Sequence, residues 1–403
     1  MSLNTPLREE FTLPQVAPRI TAESRRLPVR AVLLTNCIAP YSVAMLRHLT
    51  HGLQKLQVLV STPMEQDRHW QPDWDGLNVL VQRSFTLTHQ RSFRQGYRMT
   101  FFRHFPYDSL VWLRRLHPDV VISAQLGFRT VQAAAYRRLN PQSRLVLWVD
   151  GSEHTEREIG QMRTRFRRRL VRAADAVLVN GASGQRYIEG LGVEAARIVR
   201  APYTTDMASL LELPLVREEK AARRLLYVGQ LVESKGLTDL LRALAGWGER
   251  HPNDIRELWL VGDGPLRGAL EKFPMPPGIT LRFFGNVPYG ELSRFHAMCG
   301  LLVFPTLSDT WGLVVNEALA SGLPVLGSCY SQAVQELIRD GQNGWTFCPA
   351  HSGELDRQMD RALATDRPQL ALMRSAARRS ITHLTPQLGA SRFIEAIRFA
   401  IRR

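Results

Sequence analysis

Ser308-Asp-Thr-Trp-Gly-Leu-Val-Val-Asn-Glu-Ala-Leu-Ala-Ser-Gly-Leu-Pro-Val-Leu-Gly-Ser328 reads as a loop, a helix and a buried strand in one unbroken run. A polar cap at Asp309 or Thr310 starts a helix of about three turns, Gly322 stops it, and a buried strand begins at Pro324. Gly312 lets backbone come close at the helix start. The free N–H groups and positive dipole end there suit a phosphate or a sugar hydroxyl. Glu317 follows Asp309 by eight positions. Two readings are open: the carboxylates grip the two ends of an extended polar ligand, or Asp309 is only an N-cap and Glu317 a solvated helix residue.

Upstream of this run, strand and helix signals alternate. Strands are expected at Leu225 to Val228, Glu257 to Val261, Thr280 to Phe284 and Leu301 to Phe304, with a helix from Gly236 to Ala245. The second and third strands end in Gly262-Asp-Gly-Pro265 and Gly285-Asn-Val287. Such alternation builds a parallel sheet with helices on both faces. Ligands of such sheets bind outside the carboxyl ends of the strands, and the glycine turns at 229, 262, 285 and 312 fall at that edge. One glycine after a strand is a tight turn; four imply a crevice where backbone approaches a ligand. Lys235, just beyond the first turn, either offers positive charge to phosphate or is a surface lysine near a helix start.

The first half repeats the pattern. Strands are expected from Val29, then at Leu56 to Val60, Asn78 to Val81, Asp119 to Ser123, Leu145 to Val149 and Ala176 to Val179. Helices are expected at Tyr41 to Leu53 and near 106–116, 127–139, 155–173 and 182–190. Ala201 to Ala222 has the Pro202, Pro214 and charged character of a linker. The fold class is therefore α/β, with two facing Rossmann-like doubly wound domains. The expected division is a mobile arm at 1–28, a first domain at 29–208, a second at 217–385, and a C-terminal helix at 386–403 returning to the first domain.

A length of 403 residues suits two domains, and 44% hydrophobic with 22% charged residues suits a globular chain. No apolar run approaches the roughly 18 residues needed to cross a bilayer, and residues 1–28 lack a signal-like core, so the expectation is a cytoplasmic protein. Cys37, Cys299, Cys329 and Cys348 are too scattered in sequence for a zinc site or disulfide framework. No Ser-His-Asp arrangement or metal-spaced cluster stands out. The net charge is +15, and twelve of these charges lie before residue 211, which favours an anionic partner. Charge alone suggests nucleic acid, but no nucleic-acid motif accompanies it. Ile159, Met162, Phe166, Leu170 and Ala173 form one helical stripe among Arg163, Arg165, Arg167, Arg168, Arg169 and Arg172. That helix packs its stripe on the sheet, lies on an anionic membrane, or does both. Phe93-Arg94, Tyr97-Arg98 and Phe101-Phe102-Arg103 mix aromatics and arginines at helical spacing; that segment touches lipid headgroups or a lipid-linked sugar acceptor, or is an ordinary amphipathic helix.

Tyr227-Val-Gly-Gln-Leu-Val-Glu-Ser-Lys-Gly236, Leu260-Val-Gly-Asp-Gly-Pro265, Phe284-Gly-Asn-Val287, the 308–328 run and Glu336-Leu-Ile-Arg-Asp-Gly-Gln-Asn-Gly344 together resemble the retaining glycosyltransferases of family 4, which have the GT-B fold. The resemblance covers residues 29 to 400 and is strongest from Leu225 to Phe347. It implies a nucleotide-sugar donor in the second domain and a glycan or lipid-linked acceptor in the first, in polysaccharide or lipopolysaccharide assembly. By that resemblance Glu317 bonds the donor ribose, Asp309 contacts the transferred sugar, and Lys235 neutralises the pyrophosphate without a metal or other cofactor. Thr310, Trp311, Gly312 and Leu313 surround the sugar and pyrophosphate. Gly229 and Gln230, with Gly262, Asp263 and Gly264 and with Gly285, Asn286 and Val287, complete the donor site. The departing phosphate is thought to help deprotonate the acceptor.

Asp309 stands where the family's first glutamate is usual, one methylene shorter. Gln230 replaces the arginine usual before the lysine and offers only a neutral hydrogen bond. The loop Asn36-Cys-Ile-Ala-Pro-Tyr41 lacks paired glycines and is similar to members whose loop, through Asn36 and Tyr41, faces the acceptor. Asp150, or else His154, stands where relatives carry a histidine beside the reacting carbon; alternatively Asp150 caps the following helix. Gln230 and Asp309 also leave open a nucleotide-sugar-binding or scaffold protein without catalysis.

Overall fold

The structure, a computed structural model, describes residues 26–68 and 72–403. In the first half, strands β1 (Leu27–Thr35), β2 (Leu53–Val60), β3 (Val79–Val81), β4 (Ser84–Ser92), β5 (Arg98–Pro106), β6 (Val120–Ala124), β7 (Arg144–Val149), β8 (Ala176–Val179) and β9 (Ile198–Arg200) are interspersed with helices α1 (Pro40–Gly52), α2 (Ser109–Leu116), α3 (Phe128–Leu139), α4 (Gln161–Arg172) and α5 (Ala182–Gly190). The second half runs α6 (Ala208–Leu211), β10 (Arg224–Val228), α7 (Leu237–Arg250), β11 (Arg256–Val261), α8 (Arg267–Glu271), β12 (Ile279–Gly285), α9 (Leu292–Met298), β13 (Leu301–Phe304), α10 (Leu313–Ala320), β14 (Val325–Ser328), α11 (Gln332–Leu337) and β15 (Gly344–Phe347). Helices α12 (Glu354–Leu363), α13 (Arg367–Ile381) and α14 (Pro386–Ile401) close the chain.

Two parallel sheets result, ordered β3-β2-β1-β6-β7-β8-β9 and β12-β11-β10-β13-β14-β15. Each reverses its strand order once, between β1 and β6 and between β10 and β13, and a doubly wound sheet opens a ligand crevice at such a point. Every residue of β6, β8, β13 and β14 is buried, as expected of strands covered on both faces. The chain crosses back at its end: α14 lays Ala390, Phe393, Ala396, Ile397 and Ala400 into the core of the first sheet, with Phe393 5.0 Å from the Trp148 ring. A fully buried phenylalanine contributes about 2–3 kcal/mol, so this helix ties the two domains together. Of the arm expected at 1–28, residues 1–25 lie outside the described residues, and β1 begins at Leu27, within the expected arm.

Two local expectations are corrected. The segment 93–103 is not helical; β4 and β5 form an antiparallel hairpin turning through 93–97, with Phe85 stacked on Phe105 and His89 on Phe101. Aromatics four apart share a helix face, but an even spacing also puts them on one face of a strand. The arginine-rich helix α4 buries Arg167, Leu170 and Val171 rather than the stripe through Met162 and Phe166, which are 85% and 44% exposed. Arg167 is drawn inward by Glu156 at 2.7 Å and by the Tyr187 hydroxyl, which turns the apolar stripe to solvent. The distant Cys329 and Cys348 become neighbours, one residue beyond the Ser328–Phe347 pair of β14 and β15.

Candidate active site

Gly312, not Asp309 or Thr310, caps helix α10, which is two turns long rather than three. Its φ of 101° is left-handed, and a Cβ there would meet Phe304 and the Ser331 hydroxyl at 2.7 Å. Asp309 sits three residues earlier and accepts the Trp311 N–H at 3.1 Å, so that N–H is already engaged. The Trp311 ring is buried, its indole N–H donating to Asn316, which reaches the Tyr203 carbonyl on the interdomain connection. Trp311 therefore holds the loop in place instead of lining it. Thr310 offers its carbonyl to Gln332, and Leu313 is half-buried at the first helical position.

Lys235 arrives from the other side of the β10/β13 switch point. Gly236, with φ of 67°, allows the turn, because a Cβ there would fall 2.1 Å from the Pro305 carbonyl oxygen. The backbone bond from Leu307 N to Ser234 O fastens the two loops at 2.8 Å. The Lys235 ammonium then meets the Asp309 carboxylate at 2.5 Å.

The glycine turns have a physical reason different from the one the sequence suggests. A Cβ on Gly262 would stand 2.0 Å from the Gly229 oxygen, and one on Gly264 would stand 2.5 Å from the Leu231 oxygen. The loops after β10 and β11 pack backbone on backbone, with Gly229 N bonded to Val261 O and Leu231 N to Asp263 O. The close approach is thus loop to loop. Gly262 N also reaches Gly285 O, Asn286 is exposed beyond that contact, and Val287 packs against the core. Asp263 turns its carboxylate to Gly264 N and Arg267.

Glu317 is 6% exposed, and burial pushes its carboxyl up to about 7. The Tyr289 hydroxyl is its hydrogen-bond partner and stands 3.0 Å from the Thr205 hydroxyl on the interdomain connection. The solvated-helix reading of Glu317 is excluded.

Across the crevice, Asp150 follows β7 and is raised by burial, with Gln125 bonded to it. Tyr41 and Tyr203, 5.8 Å apart, both lie near enough to Asp150 and Asp309 to feel the two charges, so the two acids share one crevice. Asn36 points inward to Arg129. Gln230 donates to the Asp67 carbonyl and carboxylate at 3.0 and 3.2 Å, so the position where an arginine is usual clips the first-domain loop after β2. His154 lies in the seam, bonded to Gln335 and 4.9 Å from Tyr330, and burial holds it below its ordinary value.

The sequence reading missed the residues that hold the domains together. Gln332 Nε2 donates to Asp150 O and Thr310 O while its Oε1 accepts Gly184 N, and Glu336 accepts Ala182 N at 2.5 Å. These are first-turn N–H groups of α5, so one domain caps a helix of the other. Only the four-residue spacing of Gln332 and Glu336 hinted at a shared face.

Residues 222–365 match the family described as Glycosyl transferases group 1. The second domain is a group 1 glycosyl transferase domain. Sulfoquinovosyl transferase SQD2 of Arabidopsis thaliana is 27% identical over 289 residues, 66% of this chain and 54% of that protein. The chain spans about half or less of the length of the curated relatives it matches. Among solved structures, the lipopolysaccharide outer core galactosyltransferase WaaB in its apo form superposes with a TM-score of 0.67 at 14% identity, covering 91% of this chain and 99% of that one. Anabaena Alr3699/HepE in complex with UDP gives 0.66 at 17%, covering 92% and 99%. The two facing sheets of this chain are the GT-B fold.

Proposed function

We propose that this chain is a retaining glycosyltransferase of family 4, moving a sugar from a nucleotide diphosphate sugar to a glycan or lipid-linked acceptor in cell-surface polysaccharide or lipopolysaccharide synthesis. The observation that carries the reading is the Lys235–Asp309 pair at the β10/β13 switch point, with Glu317 buried on the helix behind it and Asp150 facing it from the other sheet. In this reading Lys235 and the N-terminus of α10 supply the positive charge that the leaving diphosphate needs, so no metal or cofactor is called for. Glu317, bonded to the Tyr289 hydroxyl, takes the ribose hydroxyls. Asp309, released from Lys235, turns to the transferred sugar. Asp150, raised by burial, is the polar group beside the reacting carbon. The glycine turns at 229, 262 and 285 enclose the base, and Asn36 and Tyr41 border the acceptor.

A panel of labelled nucleotide sugars tests this. Turnover of one of them is the expected result, and binding of none refutes it. Binding without turnover over a broad acceptor panel supports the scaffold reading, which has its own observation: Lys235 and Asp309 neutralise each other and Gln230 is occupied by Asp67.

The first domain is further proposed to rest on an anionic membrane at its cytoplasmic face. Met162 and Phe166 stand exposed on α4, and Phe85 and Leu87, 53% and 54% exposed, stand on the hairpin. Arg91 and Arg103 on the hairpin each lie close enough to Arg163 on α4 for their charges to interact, which brings the two segments together as one apolar and basic surface. Among the described residues no helix is long and apolar enough to cross a membrane.

A further inference from the structure

Arg129 is 5% exposed, and no carboxylate among the described residues forms an ion pair with it. Its Nη2 donates to Asn36 Oδ1 and, at 3.1 Å, to Ser61 Oγ, both neutral acceptors. Its Nη1 is buried and has no partner. Burying a guanidinium is costly, and the hydrogen bonds to Asn36 and Ser61 and the nearby charges of Glu65 and Asp150 offset only part of that cost while Nη1 stays unpartnered. Burial lowers its pKa to about 10, which still leaves it charged. It stands in the first turn of the twelve-residue helix α3, whose N-cap Gly127 supplies no side-chain bond. That turn follows β6 at the switch point of the first sheet, so the helix dipole and the arginine act in the same place.

The surroundings are also under constraint. Gln125, between β6 and α3, holds a left-handed φ of 64° without being glycine, and its side chain bonds Asp150. Strain of this kind persists where a site needs it. The Glu65 and Asp150 carboxylates lie near enough for their charges to act on Arg129; burial raises Asp150, and Glu65 is bonded to His104 at 2.8 Å.

We infer that Arg129, with the N-terminus of α3, is a subsite for an anionic group on the acceptor, a phosphate or a carboxylate. The inference rests on reading the first-domain crevice as the acceptor side. A free fork N–H and a helix end suit a tetrahedral or planar oxyanion and offer nothing to a neutral sugar hydroxyl that Asn36 and Ser61 do not. The acceptor is therefore a phosphorylated or an acidic saccharide, or a lipid-linked one carrying phosphate.

Thermal-shift and calorimetric titrations of the full chain with inorganic phosphate and with glucuronate, at constant ionic strength, with and without saturating UDP, test it. One of the two anions is expected to stabilise the protein saturably, and to keep doing so with UDP bound, which separates this subsite from the donor site. Arg129→Gln is expected to weaken that binding at least tenfold and Arg129→Lys to weaken it less, with UDP affinity unchanged in both. Preference for phosphate assigns a phosphorylated acceptor, and preference for glucuronate an acidic sugar. The inference is overturned if neither anion binds the wild type or if Arg129→Gln titrates like the wild type. Failure of every nucleotide to bind would remove the transferase reading while leaving the anion titration to be decided by itself.

Discussion

The Lys235 ammonium stands 2.5 Å from the Asp309 carboxylate, with the two side chains 20% and 16% exposed. Two loops that follow different strands meet there, one on each side of the switch point in the second sheet. In the proposed reading a donor diphosphate competes with Asp309 for that ammonium, so that donor binding exchanges one ion pair for another and frees the acid for the sugar. Replacing Lys235 with methionine should lower turnover ~10²–10³-fold, the usual loss for one charge aimed at a leaving oxyanion. Nucleotide affinity should fall much less. Steady-state kinetics with the donor found by screening checks both.

Glu317 carries a pH signature. Its carboxyl is raised from an ordinary value of 4.5 to about 7, so between those values the folded chain binds more protons than the unfolded one. Stability therefore falls as pH rises from about 4.5 through 7, by on the order of 3 kcal/mol once the group is ionised. Glu317→Gln should melt above the wild type at pH 8 and level with it near pH 5, while binding nucleotide more weakly. Melting curves across that range, with and without nucleotide, decide it; a pH-independent difference would contradict the assignment.

Gln332 reaches three backbone groups on both sides of the crevice. Truncation to alanine leaves them without partners and should cost about 1–3 kcal/mol. The larger consequence expected is looser domain closure, read as a greater radius of gyration in small-angle scattering. Glu336→Ala should do the same by uncapping α5.

Gly262 and Gly268 offer a paired test. Alanine at Gly262 would need a φ of 128° and a Cβ 2.0 Å from the Gly229 oxygen, and should destabilise the second domain by more than about 3 kcal/mol. Alanine at Gly268, with nothing within 4 Å and a helical position in α8, should be neutral or raise the melting temperature slightly.

Met162→Glu combined with Phe166→Glu should reduce sedimentation with phosphatidylglycerol vesicles about tenfold. Activity on a soluble acceptor should be unaffected. Binding of the wild type should weaken with salt, because the surface is basic as well as apolar.

The alternation of short β-branched runs with helical periods, and the glycine stops between them, was enough to place both doubly wound sheets. Strand β8 and strand β13 fall where the apolar runs lie, because a strand buried on both faces leaves its whole length visible as hydrophobic sequence. Where periodicity was ambiguous the reading failed. Phe93, Tyr97 and Phe101 satisfy the helix and the strand alike, and only pairing with β4 settles the matter. On α4 the apolar stripe lost to Arg167, whose partners Glu156 and Tyr187 lie 11 and 20 residues away in the chain and leave no periodic signal.

The sequence by itself determined the two-domain α/β architecture and the residue types at the second crevice, because spacing within one loop and one helix is a local property. Tertiary structure alone decided what those residues face. It paired Lys235 with Asp309, pushed Glu317 out of solvent against Tyr289, clipped Gln230 to Asp67, and left the Arg129 guanidinium charged with one nitrogen unpartnered. Each of these depends on a contact between segments far apart in the chain, and burial and charge at such contacts arise only when the sheets bring the segments together.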